Sequence, residues 1–387
     1  MTATKRIVII GPAYPLRGGL STYNERLARE FANQGHQTIL YTFRLQYPGF
    51  LFPGKTQYST DPPPGDMDIR VRINSINPLN WICVGREISK LRPDLVIIRY
   101  WLPFMGPCLG TIARIVRHNR ITRIITIADN IIPHERRFFD RWLTCYYLKS
   151  SDGFLFMSRA VMKDLDKFPV SGPRTYCPHP LYDTYGDVMD KVSARTHLDL
   201  DQKCLYLLFF GFIRDYKGLD ILLLAMAENR LKSLPIRLIV AGEYYTDRKP
   251  YDTLIEKLGI GDRVIAFNDF IPNRDVARFF CAADLVVQPY KNATQSGVTQ
   301  IAYHFNRPMV ITNVGGLAEM VPDGKAGYVV EPDPVKLAEA VADYFENHRE
   351  DEFVSFIREE KKKYSWDHMI VHIFAVKEET DKLKSRS

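Results

Sequence analysis

The 387-residue chain has few cysteines for its length, and none of them are paired in sequence. Cys83, Cys108, Cys145, Cys177, Cys204 and Cys281 are widely spaced and form no CxxC. That excludes a disulfide scaffold, argues against a structural zinc site and fits a reducing compartment. Long apolar runs are also missing. The longest, around Leu205–Ile213, is half of the roughly 18 residues that a spanning helix needs. The opening residues Met1–Arg6 lead straight into Ile7–Ile10, too short for the apolar centre of a signal peptide. The expectation is a cytoplasmic protein, soluble or peripheral to the inner face of a membrane. The loop after the first predicted strand, Gly11–Gly19, is not GxGxxG and is not followed by Gly-Lys-Ser/Thr, which disfavours a dinucleotide site or a P-loop there.

What is present is ordinary globular composition, 46% hydrophobic and 25% charged, in a length that suits two or three domains. Short buried strands alternate with helical stretches. Ile7–Ile10 reads as a strand, Ser21–Gln34 as a helix and Thr38–Thr42 as the next strand, with further strands at 94–99, 123–127 and 153–157. A Pro-rich segment, 171–201, interrupts the rhythm, which resumes with strands at 205–210, 236–240, 264–267, 285–287, 309–311 and 327–330. Two successive α/β series predict two doubly wound, Rossmann-like domains facing across a cleft, at 1–185 and 202–364. A last helix at 365–387 is expected to return to the first domain. Ligands of such folds sit beyond the carboxyl ends of the strands.

Charge is divided unevenly. Residues 1–185 hold 25 Lys and Arg against 14 Asp and Glu, a balance of +11, whereas the remainder sums to −4. The first half therefore either meets something acidic or carries a solvated basic surface.

Three loops carry candidate chemistry. Gly18-Gly19 precedes a helix and suits backbone amides approaching an anion, or a flexible turn. The second loop, Gly211-Phe-Ile-Arg214-Asp-Tyr-Lys217-Gly218, sets two cations beside a helix start, which fits a pyrophosphate or an exposed basic turn. In the third, Ser296-Gly297-Val298 opens a helix after a strand, where free N–H groups attract anions. Glu243 and Glu319 follow strands of the second series and either face the site or cap helices.

In order and spacing, these motifs resemble the retaining glycosyltransferases of family 4, which have the GT-B fold. The resemblance runs through Gly18-Gly19-Leu-Ser-Thr, Gly35-His36, Gly211…Lys217-Gly218, Val240-Ala-Gly242-Glu243, Ala283-Asp284-Leu-Val-Val-Gln-Pro289 and Pro308…Gly315-Gly316-Leu-Ala-Glu319. It implies an enzyme that moves a sugar, with retention, from a nucleoside-diphosphate sugar held by the second domain to a saccharide or lipid-linked acceptor held by the first. It also implies no metal ion, no further cofactor and a place in envelope or exopolysaccharide synthesis. Arg214 and Lys217 then match the cations on the diphosphate, and Gly18 and Gly19 the contact from the first domain. Ser296, Gly297 and Val298 match the loop meeting sugar and phosphate, and Glu243 and Glu319 are further donor contacts. Competing readings are a GT-B nucleotide-sugar epimerase or phosphorylase, and a non-catalytic sugar-nucleotide-binding protein.

Two departures stand out. The pair of glutamates common in the family is absent: Ile301 occupies the second position, and the first falls near Ala293-Thr294. Thr294, Gln295 or Gln300 are the available substitutes. Asp129 stands where the family often has His, before Asn130…Pro133-His134-Glu135. It reads either as a carboxylate accepting from an acceptor hydroxyl or as a structural residue at a strand end. In the basic half, Arg114–Arg123 and Arg136–Lys149 interleave with Phe138, Phe139, Trp142, Tyr146 and Tyr147. That composition suits an anionic membrane surface in preference to nucleic acid, or else buried aromatics among solvated arginines.

Overall fold

The computed structural model describes residues 4–49, 56–133, 138–293 and 296–385. It divides into two compact units, Met1–Pro180 with Ser365–Ser387, and Leu181–Tyr364.

Among the described residues, the first unit is built on seven parallel strands: β1 (Arg6–Ile10), β2 (Gln37–Leu45), β3 (Asp68–Asn74), β4 (Leu95–Tyr100), β5 (Arg123–Ala128), β6 (Gly153–Phe156) and β7 (Arg174–Tyr176). Their order across the sheet is β3-β2-β1-β4-β5-β6-β7. Ile7 to Ile10 are wholly buried, as expected for a parallel strand covered on both faces. Chain direction across the sheet reverses between β1 and β4, the place where ligands of open α/β sheets gather.

The helices between strands have local reasons to start where they do. Asn77 accepts from the amides of Leu79 and Asn80, and Pro78 leads the helix Pro78–Leu91; Asp333 and Pro334 do the same for Pro334–Glu346. The last helix, Trp366–Ser385, packs on β5, β6 and β7 of the first unit. Gly153 of β6 makes this possible: a Cβ there would lie 2.5 Å from Val376 and 3.1 Å from Thr380. Arg123 closes the contact on Asp381 at 2.6 Å.

The second unit repeats the plan with β8 (Leu205–Phe210), β9 (Ile236–Ala241), β10 (Val264–Phe267), β11 (Leu285–Gln288), β12 (Met309–Thr312) and β13 (Gly327–Val330). The order is β10-β9-β8-β11-β12-β13, so the reversal lies between β8 and β11. Part of the Pro-rich segment forms a helix, Lys191–His197. Asp284, at the start of β11, fixes it by accepting from Lys191 Nζ (2.6 Å), Arg195 Nη2 (2.7 Å) and the Tyr206 amide (2.7 Å). A buried carboxylate with these partners is satisfied within the fold.

Candidate functional site

In the second unit, the loops after β8, β9 and β11 approach so closely that glycine is required. Gly218 has φ 70°, and a Cβ on it would stand 1.9 Å from the Pro289 carbonyl oxygen. Gly242 lies so tight against Gly211 that its Cβ would fall 2.2 Å from the Gly211 oxygen. These contacts pull the 211–218 loop onto the β8/β11 reversal.

Lys217 closes the one-turn helix Asp215–Lys217, and its side chain lies back over Gly211. Lys217 Nζ sits 3.1 Å from where a Gly211 Cβ would be, and Val298 Cγ2 lies 3.8 Å from the same point. Tyr290, just past β11, lies between them: Lys217 Nζ is 5.6 Å from its ring centre, and its hydroxyl is 3.3 Å from Ser296 Oγ. Lys217 and the Ser296-Gly297-Val298 turn thus share one hollow around Gly211. Ser296 does not cap the helix Gly297–His304 with its side chain, so the first-turn amides lack that partner.

The electrostatics suit an anion. Lys217 is 9% exposed, and burial, assisted by the charge of Arg214, lowers its pKa to about 7. The nearby carboxylates are already engaged: Lys291 Nζ pairs with Asp215 at 3.0 Å and Asp220 at 2.9 Å. Among the described residues, Lys217 Nζ has no hydrogen-bond acceptor. Arg214 is half-buried, with its guanidinium 5.0 Å from the Tyr245 ring.

Other expected positions are spread more widely. Glu243 is buried after β9, and its carbonyl accepts from the Ile213 amide at 2.9 Å. Glu319 is exposed on the short turn after β12, in a loop tied back to the third region by Gly316 N to Ala293 O at 3.2 Å. Gly18 (φ 105°) and Gly19 begin the helix Gly19–Asn33 of the first unit. Ile301 is buried. Its neighbour Gln300 is fully buried, and neither atom of its carboxamide is hydrogen-bonded among the described residues. Thr294 and Gln295 lie outside the described residues, as do His134, Glu135, Arg136 and Arg137.

Asp129 lies at the carboxyl end of β5, where both its oxygens accept from Arg99, Oδ1 from Nη2 and Oδ2 from Nε, each at 2.5 Å. Arg99 is 2% exposed and lies 3.8 Å from the Tyr23 ring centre. This ion pair fixes the orientation of the Asp129 carboxylate at the strand end. The sequence carried a signal for Arg99 that went unused: an arginine closing an apolar strand has to find a buried partner.

Among the described residues, parts of the basic stretches are engaged within the fold. Arg114 stacks on Tyr146 and donates to its carbonyl, Arg117 pairs with Asp152, and Tyr147 is buried against Tyr100. Phe138, Phe139 and Trp142 are exposed.

Two doubly wound parallel sheets, with cations and a helix start at the reversal of the second, define an α/β architecture of paired Rossmann-like units. The chain belongs to glycosyltransferase family 4: its residues 17–182 match the model described as Glycosyltransferase Family 4, and 205–347 that of Glycosyl transferases group 1. The fold is GT-B. Sucrose-phosphate synthase from Thermosynechococcus elongatus has TM-score 0.74 at 17% identity, over 99% of this chain and 100% of that one. The Anabaena protein HepE, in complex with UDP and glucose, has TM-score 0.69 at 14% identity, over 99% and 100%. Similar curated proteins include a D-inositol 3-phosphate glycosyltransferase from Nocardioides, 30% identical over 194 residues, which are 46% of this chain and 42% of that protein. Another, from Catenulispora acidiphila, is 35% identical over 161 residues, 39% and 38% of the two chains. The matched stretches span less than half the length of these relatives.

Proposed function

We propose that the protein transfers a sugar, with retention, from a nucleoside-diphosphate sugar to a saccharide or lipid-linked acceptor. The setting is envelope or exopolysaccharide synthesis at the cytoplasmic face of a membrane. The observation that carries this reading is the convergence of Lys217 and the Ser296–Val298 turn on Gly211 at the β8/β11 reversal. A buried ammonium, Arg214 and open helix amides hold a diphosphate most strongly as it gathers charge on leaving, which is where stabilisation accelerates transfer. HepE has been solved with UDP-glucose, a ligand of the chemistry this hollow suits. The chemistry assigned here uses neither a metal ion nor a further cofactor. Gly18 and Gly19 are assigned to the diphosphate from the first unit, and Glu243 and Glu319 to the donor's sugar and nucleoside.

Two measurements test the reading. A thermal-shift panel of UDP-, GDP- and ADP-sugars identifies the donor by the rise in Tm that a native-state ligand produces. Lys217→Ala is expected to abolish most turnover at near wild-type Tm; wild-type turnover in that variant rejects the assignment. A non-catalytic sugar-nucleotide binder is the second reading, favoured by the apolar Ile301 at a position the family often fills with glutamate. It predicts donor binding with no consumption of donor in the presence of any acceptor.

A further inference from the structure

Among the described residues, the exposed aromatics of the first unit form an apolar feature that the donor site does not explain. Phe138 is 96%, Phe139 61% and Trp142 71% exposed, at the start of the helix Asp140–Leu148. Because that helix follows β5 in a parallel sheet, its start lies at the carboxyl edge. Arg114, Arg117 and Arg123 lie at the amino edge, where internal contacts absorb them. The helix Pro78–Leu91 begins at the same carboxyl edge, with Leu79 74% exposed. The helix Gly106–Arg117 lies between the two and holds both tightly. A Cβ on Gly106 would stand 2.5 Å from the Leu143 carbonyl oxygen, and one on Gly85 2.9 Å from Ile115. Two interhelical spacings separate Leu79 from the aromatic cluster by about 20 Å.

We propose that this edge of the first unit docks on an anionic bilayer, with Phe138, Phe139 and Trp142 entering the interface and Leu79 as a second point of insertion. Side chains this exposed protrude; a saccharide platform or a peptide groove would enclose its aromatics on at least one side. Aromatic and aliphatic side chains projecting from a rigid layer suit the boundary between headgroups and acyl chains. Charge selects the lipid. The first unit carries 29 Lys and Arg against 17 Asp and Glu, the second 23 against 28. The aromatics therefore stand on the basic unit; Arg141 beside them is engaged internally, donating to the Lys167 carbonyl at 2.9 Å and lying over the Phe168 ring. The inference deepens the proposed lipid-linked or envelope acceptor by naming the surface on which the protein would meet it.

The test is co-sedimentation of the full chain, without nucleotide sugar, with vesicles of phosphatidylcholine containing 30% phosphatidylglycerol as the trial composition, and with pure phosphatidylcholine vesicles. Binding is expected to the anionic vesicles, to weaken with salt, and to fall about tenfold or more in Phe138→Ser/Phe139→Ser/Trp142→Ser. Because the three side chains are exposed, the triple variant should keep the wild-type Tm and donor-induced shift, and these serve as its folding control. Three results overturn the proposal: no binding by the wild type, equal binding by the variant, or equal binding to both vesicle types. A wild-type chain that self-associates through these residues in lipid-free solution, and a variant that does not, overturns it too by making the edge a protein interface. Donor binding is read without vesicles, so the sugar-transfer reading and the docking reading fail separately.

Discussion

Donor binding should be linked to a proton on Lys217. In the free protein this amine has a pKa of about 7, lowered first by burial and then by Arg214. A diphosphate beside Nζ supplies the missing anion and restores the ammonium form, so the bound state keeps its proton to well above pH 7. If only the protonated amine accepts the donor, half of the molecules are competent at pH 7 and about 1% at pH 9, and apparent Kd rises about 50-fold, or ~2.3 kcal/mol. The stability of the free protein runs the other way. The unfolded lysine titrates near 10.4, so between pH 7 and about pH 10 the unfolded chain binds more protons, and this group makes stability rise with pH. Isothermal titration of the nucleoside diphosphate from pH 6 to 9, in buffers of different ionisation enthalpy, measures both the slope and the proton taken up. Lys217→Met, which keeps the apolar stem, should bind weakly at every pH with the slope gone. A flat wild-type Kd across this range, or an unchanged slope in Lys217→Met, would refute the linkage.

Three other substitutions test the contacts around the two reversals. Asp129→Asn leaves the Arg99 cation buried without its counter-charge and should cost about 3–5 kcal/mol, read as a lowered Tm. An unchanged Tm with lost turnover would return the carboxylate to the reacting groups. Gly218→Ala forces a Cβ against the Pro289 carbonyl at an unfavourable φ and should destabilise by about 2 kcal/mol or more; a variant of wild-type Tm would contradict the close approach. Gln300→Leu removes a buried carboxamide whose hydrogen bonds are unmade and should raise Tm in the absence of donor, by about 1 kcal/mol of stability. If that carboxamide meets the donor ribose in place of the family glutamate, the same variant binds donor more weakly. A lower Tm would show that the amide is satisfied in the free protein.

The sequence revealed the strands that are buried on both faces, because such strands are continuous apolar runs. Val8, Ile97 and Leu238 lie where that pattern put them. It did not reveal β3, whose residues Asp68-Ile-Arg-Val-Arg-Ile-Asn74 alternate charge at a sheet edge, or the three-residue β7. The helix Lys191–His197 was hidden in the Pro-rich segment because its order comes from Asp284, 87 residues beyond its last turn in the chain. The same limit applies to the site. Lys217 and Ser296 could be named from loop chemistry, but their meeting at Gly211 depends on glycine contacts between loops distant in sequence. Tyr290 gave no sign of lying between them. Asp129 was legible as a strand-end carboxylate, whereas its partner Arg99 is brought to it by the β4–β5 pairing.

The helix Trp366–Ser385 gives assembly a built-in order. Its apolar face covers β5, β6 and β7, so the first unit is short of part of its packing until residues after 364 have been made. During synthesis the second unit therefore emerges in full while the first still exposes that surface. A stop codon just before Trp366 would spare every loop of the donor hollow and still leave the first unit uncovered.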